Sequence, residues 1–548
     1  MKVNHISSRW LGGILAVMPF LLGGFFEWTS CLLSILLLIL LVRKLRQSKM
    51  LRVSLSLSGA AMAALPLCYL LTALWAQDRG MALPGFFKFL PMGLFVLLFL
   101  QEEPEQRDAA LEVLPWSGAV MMLLLCLPLS YLPAMDGHLL VAGRQAGLFE
   151  YPNTYALFLL LGLIVLATGT QRNWYHLALA AVLLAGIFLS GSRAVFVLLV
   201  LTAIAIAIFV KERSVRLTTL ILFPAGIAAA VTYVLATGKA DSIGRFLTTS
   251  LHSSTLLGRL LYAQDALPVI LGHPFGLGYR SYTYMQGNFQ TGVYSVQTVH
   301  NDFLQLMLDA GWVPALLIAA AVVRSLFRRD NALRRRLLLA VICLHGLFDF
   351  SLQYLAILLI FAAVLDYDNC REIKMKRADQ RFLAVAAAVL AAASLYFGAV
   401  NGAAYLGNHQ LAVKLDPAYT DSLVALMAEE SDIAVADEYA QRVLELDRYV
   451  APAYRIRAMV AYSQGDMANM IQYQKSAIAC APYDKTLYTD YLQMLETGAA
   501  LYIQAGDTQS AVVCREQINA VPDMMEAALQ NTSRLGWLID DKPDLTLP

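Results

Sequence analysis

The chain has 548 residues, of which 58% are hydrophobic and only 15% charged, with a mean hydropathy of +0.59 and a net charge of +1. A soluble domain carries nearer a quarter charged residues, so the balance points to a membrane protein, and the net charge gives no footprint for a nucleic-acid partner. Seven cysteines are scattered, with Cys31, Cys68, Cys126 and Cys343 in apolar runs; without a CxxC or Cys/His spacing they support neither a disulfide framework nor a zinc site.

The N-terminus carries Lys2 and Arg9 before an apolar run from Trp10. A second apolar run follows almost at once with no small-residue cleavage site between, so the first run reads as a span and not as a removed leader. A span needs about 20 mostly apolar residues. Candidate segments are 10–26, 28–42, 53–74, 84–100, 111–132, 154–169, 175–191, 194–210, 217–236, 312–327, 337–366 and 381–399. Basic clusters fall between them: Arg43, Lys44, Arg46, Lys49 and Arg52; then Lys211, Arg213 and Arg216; then Arg328, Arg329, Arg334, Arg335 and Arg336. Alternation from a cytoplasmic N-terminus puts all three inside. The run 337–366 is flanked by basic residues on both sides, the second set being Arg371, Lys374, Lys376 and Arg377. Both ends therefore belong on one side, which predicts a hairpin with its apex near 348–353 and about twelve or thirteen spans in all. The outside then receives the 133–152 loop, the 190–193 corner, the long 237–311 segment and everything after residue 400. A connection as long as 237–311 carries function or its own structure.

Several outer residues can carry chemistry. Ser190-Gly191-Ser192-Arg193 ends one span and opens the next. An arginine at the lip of a membrane segment either snorkels or binds something, and its planar guanidinium suits bidentate capture of phosphate. Thr255 to Arg259 opens a helical stretch in which Leu256, Leu260, Ala263 and Leu267 form an apolar stripe with Arg259 displaced from it. Gly276 and Gly278 read as a tight turn aiming Arg280; they make no nucleotide-binding fingerprint, since no GxGxxG, preceding strand or P-loop lysine accompanies them. Val299-His300-Asn301-Asp302 precedes a helix with an apolar face of Phe303, Leu304, Met307 and Leu308, ended by Gly311. His300 is thus at a helix N-terminus, where the partial positive charge keeps imidazole neutral; alone, it could equally be a capping histidine. The clustered Glu102, Glu103 and Glu105 fall on the inner side, so no metal or other cofactor is indicated.

After residue 400 the composition turns soluble and helical. The stretch from Leu446-Asp447 to Tyr454 recurs as Ala481-Pro482 to Tyr488, an offset of 34 residues, with Gly465-Asp466 at the turn between. Leu415-Asp416-Pro417 and Gly506-Asp507 look like degenerate copies. The period is similar to the tetratricopeptide repeat, two helices per unit stacked into a short solenoid with a groove, a module for docking a protein partner; an unrelated helical bundle is the alternative.

The ordered motifs resemble those of the O-antigen ligase/polymerase superfamily of the Wzy C-terminal type. These motifs are Arg144 with Gly147 to Asn153 before a span, then Ser190 to Arg193, then Arg259, Pro274, Gly276 and Gly278. His300-Asn301 and His345 with Asp349 complete the set. The resemblance covers roughly residues 10–400. It implies an all-α fold: a GT-C-like transmembrane bundle over 1–400, followed by the repeat domain over 401–548. It also implies an outer-face site in the cytoplasmic membrane of a bacterium, taking a glycan from undecaprenyl diphosphate without metal or nucleotide. By position, Arg193 and Arg259 resemble diphosphate-binding arginines, His300 an essential loop histidine, and Asp349 an aspartate supporting it. Lys88 sits where the family often has a basic residue in an early span, and Arg144, Asn153, Arg280 and Asn301 join it as substrate-binding candidates. The acceptor could be a glycan, a lipid or a protein. A protein oligosaccharyltransferase and a lipid-linked glycan flippase are the competing readings. Against the flippase stand the lack of an internal repeat of span patterns and of paired broken helices. A membrane scaffold for the repeat domain would need only one or two spans.

Overall fold

The computed structural model describes residues 8–125, 138–169, 174–210, 254–328 and 332–546, with Glu212, Arg213, Arg216 and Ala228. The predicted span 217–236, the first part of the long segment to residue 253, residues 133–137 of the preceding loop, Lys211, Cys126 and Arg329 lie outside the described residues.

The described chain is almost entirely helical. The first half holds α1 (Ser8–Val17), α2 (Glu27–Ser48), α3 (Leu57–Thr72), α4 (Ala82–Leu100), α5 (Pro104–Ala109), α6 (Leu114–Leu125), α7 (Pro152–Thr168), α8 (Trp174–Ser190) and α9 (Arg193–Phe209). Then come α10 (Ser254–Gly272), α11 (Asp302–Ala310), α12 (Trp312–Phe327), α13 (Leu333–Gly346), α14 (Leu355–Val364) and α15 (Arg377–Tyr405). Among the described residues, four segments are long and apolar enough to cross a membrane alone: α2, α4, Pro104–Leu125 and α15. Shorter apolar helices match most of the other predicted spans.

Burial separates an inner set from an outer one. Every residue of α14 is buried, as are nearly all of α4 and most of α7. The outer helices expose apolar side chains at helical spacing: Leu32, Leu36 and Ile39 on α2, Val197, Leu201, Ile204 and Ile208 on α9, and Phe382, Val385 and Val389 on α15. An apolar belt of this extent is unstable in water and is what lipid covers, so this is a multi-pass membrane protein.

One end of the bundle is basic and closed by ion pairs. The strand β1 (Met50–Ser54), just past α2, pairs antiparallel with Cys370–Lys374, just before α15. Arg52 pairs with Glu372 at 2.8 Å and Lys44 with Glu102 at 2.8 Å. The apolar run 337–366 is two helices, α13 and α14, broken over 347–354. Both its ends lie at this basic end. Arg334 and Arg335 reach Glu112 and Asp108, each at 2.5 Å, while Arg328 at the close of α12 reaches Asp366 at 2.5 Å. The run therefore goes out and back, with its turn at the opposite end of the bundle.

That opposite end carries the C-terminal helices, which begin after α15 runs through position 400 to Tyr405. These are α16 (His409–Leu415), α17 (Thr420–Glu429), α18 (Ile433–Leu446), α19 (Ala451–Ser463), α20 (Met467–Cys480), α21 (Lys485–Gln504), α22 (Thr508–Gln530) and α23 (Arg534–Leu538). Consecutive members from α17 to α22 pack on each other. Aspartates cap four of them: Asp432, Asp466, Asp484 and Asp507 each accept from a backbone N–H of the first turn, which satisfies a donor the helix leaves free. The Gly-Asp pairs of the sequence thus end one helix and begin the next.

The C-terminal helices sit down on the loops of the bundle. Thr420 Oγ1 donates to the buried Asp78 Oδ1 at 2.7 Å, Arg79 N donates to Leu446 O, and Ser533 N donates to Thr291 O. At Gly287 the backbones approach so closely that a Cβ would lie 1.7 Å from Cys480 O, so only glycine fits.

Two helical faces differ from expectation. On α10 the buried side is Leu257, Leu261, Ala266 and Ile270, whereas Leu260 and Leu267 of the predicted stripe are 44% and 47% exposed. Tyr294 and Ile539 cover Leu257 and Leu261 of that buried side, and α23 and α11 pack against the helix. On α11 burial is not confined to the apolar face: Asp302, Gln305 and Asp309 are buried too, with Gln305 Nε2 donating to Asp309 Oδ1 at 2.8 Å.

Candidate active site

Asp349 is the centre of a polar cluster at the turn between α13 and α14, and it is fully buried. Its Oδ1 accepts from Tyr151 OH at 2.8 Å and from Phe350 N at 3.0 Å. Its Oδ2 accepts from Asn153 Nδ2 at 2.8 Å and from Arg259 Nη2 at 3.1 Å. Asn153 Oδ1 accepts from Arg144 Nη2 at 2.8 Å, and Arg144 Nε donates to Ser190 O at 2.7 Å. One relay of charge-assisted bonds therefore ties the 190–193 corner, the start of α7, the hairpin turn and α10 together. Its local cause is Pro152 at the first position of α7, where a missing N–H costs nothing; Tyr151 and Asn153 are fixed on either side of it.

Arg259 has more donors than the cluster uses. Its Nη2 serves Asp349, and its Nε is buried without a partner among the described residues, as is Ser192 Oγ. A guanidinium carries five N–H groups in a fixed fork, so the remaining ones can meet oxygens of an anion. Arg193, the first residue of α9, extends its Nη2 toward Thr255 Oγ1 at 3.5 Å, one helical turn before Arg259.

His300 stands beside this cluster with its ring against Phe350, centroids 4.9 Å apart, and Tyr262, 5.7 Å. Its backbone has φ 55°, in the left-handed region that a non-glycine residue occupies only when its surroundings hold it there. What holds it is Asn301: Oδ1 caps α11 by accepting from Phe303 N and Leu304 N, and Nδ2 donates to Leu347 O at 2.9 Å. His300 Nδ1 lies 3.0 Å from Thr298 O. A carbonyl only accepts, so Nδ1 carries the proton and Nε2 keeps its lone pair in the neutral ring. Burial pulls the pKa of His300 below its ordinary value; Asp349 raises it and the Arg259 guanidinium lowers it further. The neutrality expected from a helix terminus is thus owed first to desolvation.

Lys88 and Arg280 stand in a second group, apart from this one. Lys88 is buried on α4 with Nζ 4.8 Å from the Phe25 ring centroid. Arg280 donates to Asp421 Oδ2 at 2.5 Å and Gln297 Oε1 at 3.1 Å. Gly276 and Gly278, at φ 79° and 93°, make the turn that precedes it, with Leu277 N and Gly278 N donating to Leu308 O and Asp309 O. Both cations line a cavity of ≈ 230 Å³ between the bundle and the C-terminal helices. The sequence reading missed Tyr151, which stood inside a quoted motif, and Glu27, an acid at the head of an apolar run. It also missed Asn401 and Asp421, for which no local signal exists.

The family model for O-antigen ligase matches residues 178–320. The matched stretch runs from within α8 to within α12 and contains Arg193, Arg259, Arg280 and His300, while Lys88, Arg144, Asn153 and Asp349 fall outside it. Over that stretch the chain is similar to the O-antigen ligase superfamily. No curated protein matches the chain.

Proposed function

We propose that the protein is a metal-independent glycosyltransferase that moves a glycan from undecaprenyl diphosphate onto an acceptor hydroxyl at the outer face of a bacterial cytoplasmic membrane. The observation that carries this reading is Arg259, ion-paired to buried Asp349 yet with unused donors, beside a histidine kept neutral. A sugar on a lipid diphosphate is already activated, which suits a compartment without nucleotide. The acceptor hydroxyl oxygen attacks the anomeric carbon, and the bond from that carbon to the diphosphate oxygen breaks with its electron pair leaving on the diphosphate. The hydroxyl proton passes to His300 Nε2. Arg259 and Arg193 stabilise the charge that grows on the leaving diphosphate, a contribution worth about 10²–10³ in rate per donor in comparable anion sites. Asp349, Asn153, Tyr151 and Arg144 position Arg259, and Asn301 positions His300.

The reading places the basic end in the cytoplasm, since arginine and lysine collect there. The C-terminal helical pairs are then outside, and we read them as tetratricopeptide-like repeats that dock a partner or the acceptor. The test is transfer from purified undecaprenyl-diphosphate glycan in nanodiscs with EDTA present. Activity is expected to survive EDTA and to be lost in Arg259→Ala and His300→Ala. Wild-type turnover in those two variants would overturn the assignment, and loss of activity in EDTA would overturn its metal-free chemistry.

A further inference from the structure

The cavity that holds Lys88 has features that the transfer site does not need for itself. Lys88 is 2% exposed, and its ammonium makes no hydrogen bond with a described residue; it faces the Phe25 ring and senses the charge of Glu27 across the same cavity. Its charge has Glu27 as a neighbour but its three N–H donors have no acceptor among the described residues, so oxygens supplied from elsewhere are expected to meet them. The carboxylates that share the cavity are already engaged. Glu27 accepts from Tyr279 OH and, at 2.9 Å, from Asn401 Nδ2; Asp421 holds Arg280; Asp309 accepts from Tyr69 OH and Gln305.

The same carboxylates exclude one class of ligand. A diphosphate would face three of them here, whereas the Arg259 cluster presents one carboxylate among several arginines. A sugar ring has the opposite needs: donors and acceptors in mixture for its hydroxyls, and aromatic surface for its C–H faces. The cavity offers both, with Phe25, Tyr279, Tyr405 and Tyr419 among its walls. At ≈ 230 Å³ it is smaller than the usual site for a drug-sized ligand, and fits a single ring. It also adjoins the transfer site. Phe25 packs near Phe350 at 6.3 Å, Phe350 packs on His300, and Thr298, which fixes the His300 tautomer, lines the cavity.

We propose that this cavity binds one sugar ring of the acceptor, with Lys88 donating to its oxygens and the C-terminal domain, through Tyr419 and Asp421, supplying one wall. The repeat domain then takes part in acceptor choice directly. The acceptor role rests on the transferase reading; the binding of a sugar does not.

The experiment uses the full chain in nanodiscs and saturation-transfer NMR with a panel of methyl glycosides: glucoside, galactoside, mannoside, N-acetylglucosaminide and glucuronide. At least one is expected to receive saturation in the wild type and to lose most of it in Lys88→Met and in the half-exposed Tyr405→Ala, while Arg259→Ala keeps it. Absence of transfer to every glycoside, or signals unchanged in both cavity variants, would overturn the proposal. Where transferase activity is measurable, Lys88→Met is expected to raise the acceptor KM roughly tenfold or more, the loss of a charged hydrogen bond, and to leave the donor KM in place. A rise in the donor KM instead would make the cavity a donor site and overturn the proposal. Saturation transfer to a glycoside that is lost in Lys88→Met, in a protein without any transferase activity, would refute the enzyme reading and retain the sugar site.

Discussion

The two ends of the bundle use the same side chains in opposite ways. At the basic end, arginines and carboxylates meet as discrete pairs near the surface, Arg335 with Asp108 and Arg334 with Glu112 among them, with partners about half exposed. At the other end the charges of the central cluster are buried: Asp349 is inaccessible, Arg259 is 13% exposed, and its Nε has no partner among the described residues. Exposed pairs give each charge a neighbour at little net gain, since water serves them nearly as well. Buried ones are costly to assemble and gain strength from the low dielectric, so an unused donor there is what the proposed site rests on. Charge is thus distributed by number at one end and by burial at the other.

The sharpest way to break the comparison is to test the sides themselves. Exposed Cys370 at the basic end should stay unlabelled by an impermeant thiol reagent in intact cells, whereas a cysteine placed at Asn469 should label fully. The reverse pattern would put the polar cluster in the cytoplasm and end the proposed chemistry. Next in size is Arg259→Ala, expected to cut turnover by about 10²–10³, with Arg259→Lys recovering little because one ammonium cannot reproduce the fork. A turnover assay that found the lysine variant near wild type would reduce Arg259 to a point charge.

Removing the other partner should be a stability effect first. Asp349→Ala leaves a buried guanidinium uncompensated and strips acceptors from Tyr151 and Asn153, so a loss of about 3–5 kcal/mol is expected in a denaturation assay. The conservative Asp349→Asn separates charge from shape, and pH sharpens it. The proposed reaction needs His300 neutral, so activity should hold as pH falls and decline only below the ordinary imidazole value of 6.5, since burial lowers this pKa. Asp349 raises that pKa, so its charge loss in Asp349→Asn should move the acid limb to still lower pH; a limb that moves upward contradicts the contact. The smallest effect belongs to the basic end: Arg335→Ala should change stability by less than about 1 kcal/mol. A large loss there would erase the distinction between the two ends.

Hydropathy and charge made much of this legible. The apolar runs became helices because a span must satisfy its own backbone, and the basic residues flanking 337–366 gave away the out-and-back path seen in α13 and α14. Arg259 and His300 stood out in the sequence at helix starts of the long 237–311 segment and Asp349 through the family resemblance, and the three meet in space. The sorting of Lys88 and Arg280 away from them was not legible, because it depends on a partner 141 residues from Arg280 brought back by the C-terminal fold. Nor could the period choose the buried side of α10. That helix is apolar on two faces, and only the docking of α23 and α11 decides which one is covered.

The strand pair at the basic end has a consequence for how the molecule is made. Arg52 and Glu372 are 320 residues apart, and Met50–Ser54 has no other strand to pair with among the described residues. The ribosome must deliver the chain through Lys374 before this clasp can shut, so α2 and α3 meet α4 early but α2 waits for α15 and α3 for α12. Shutting it sets the starting point of α15, whose far end carries the helices that roof the cavity. Biogenesis is therefore ordered by the clasp: the early spans are in place, the ribbon closes, and those roofing helices are the last to arrive.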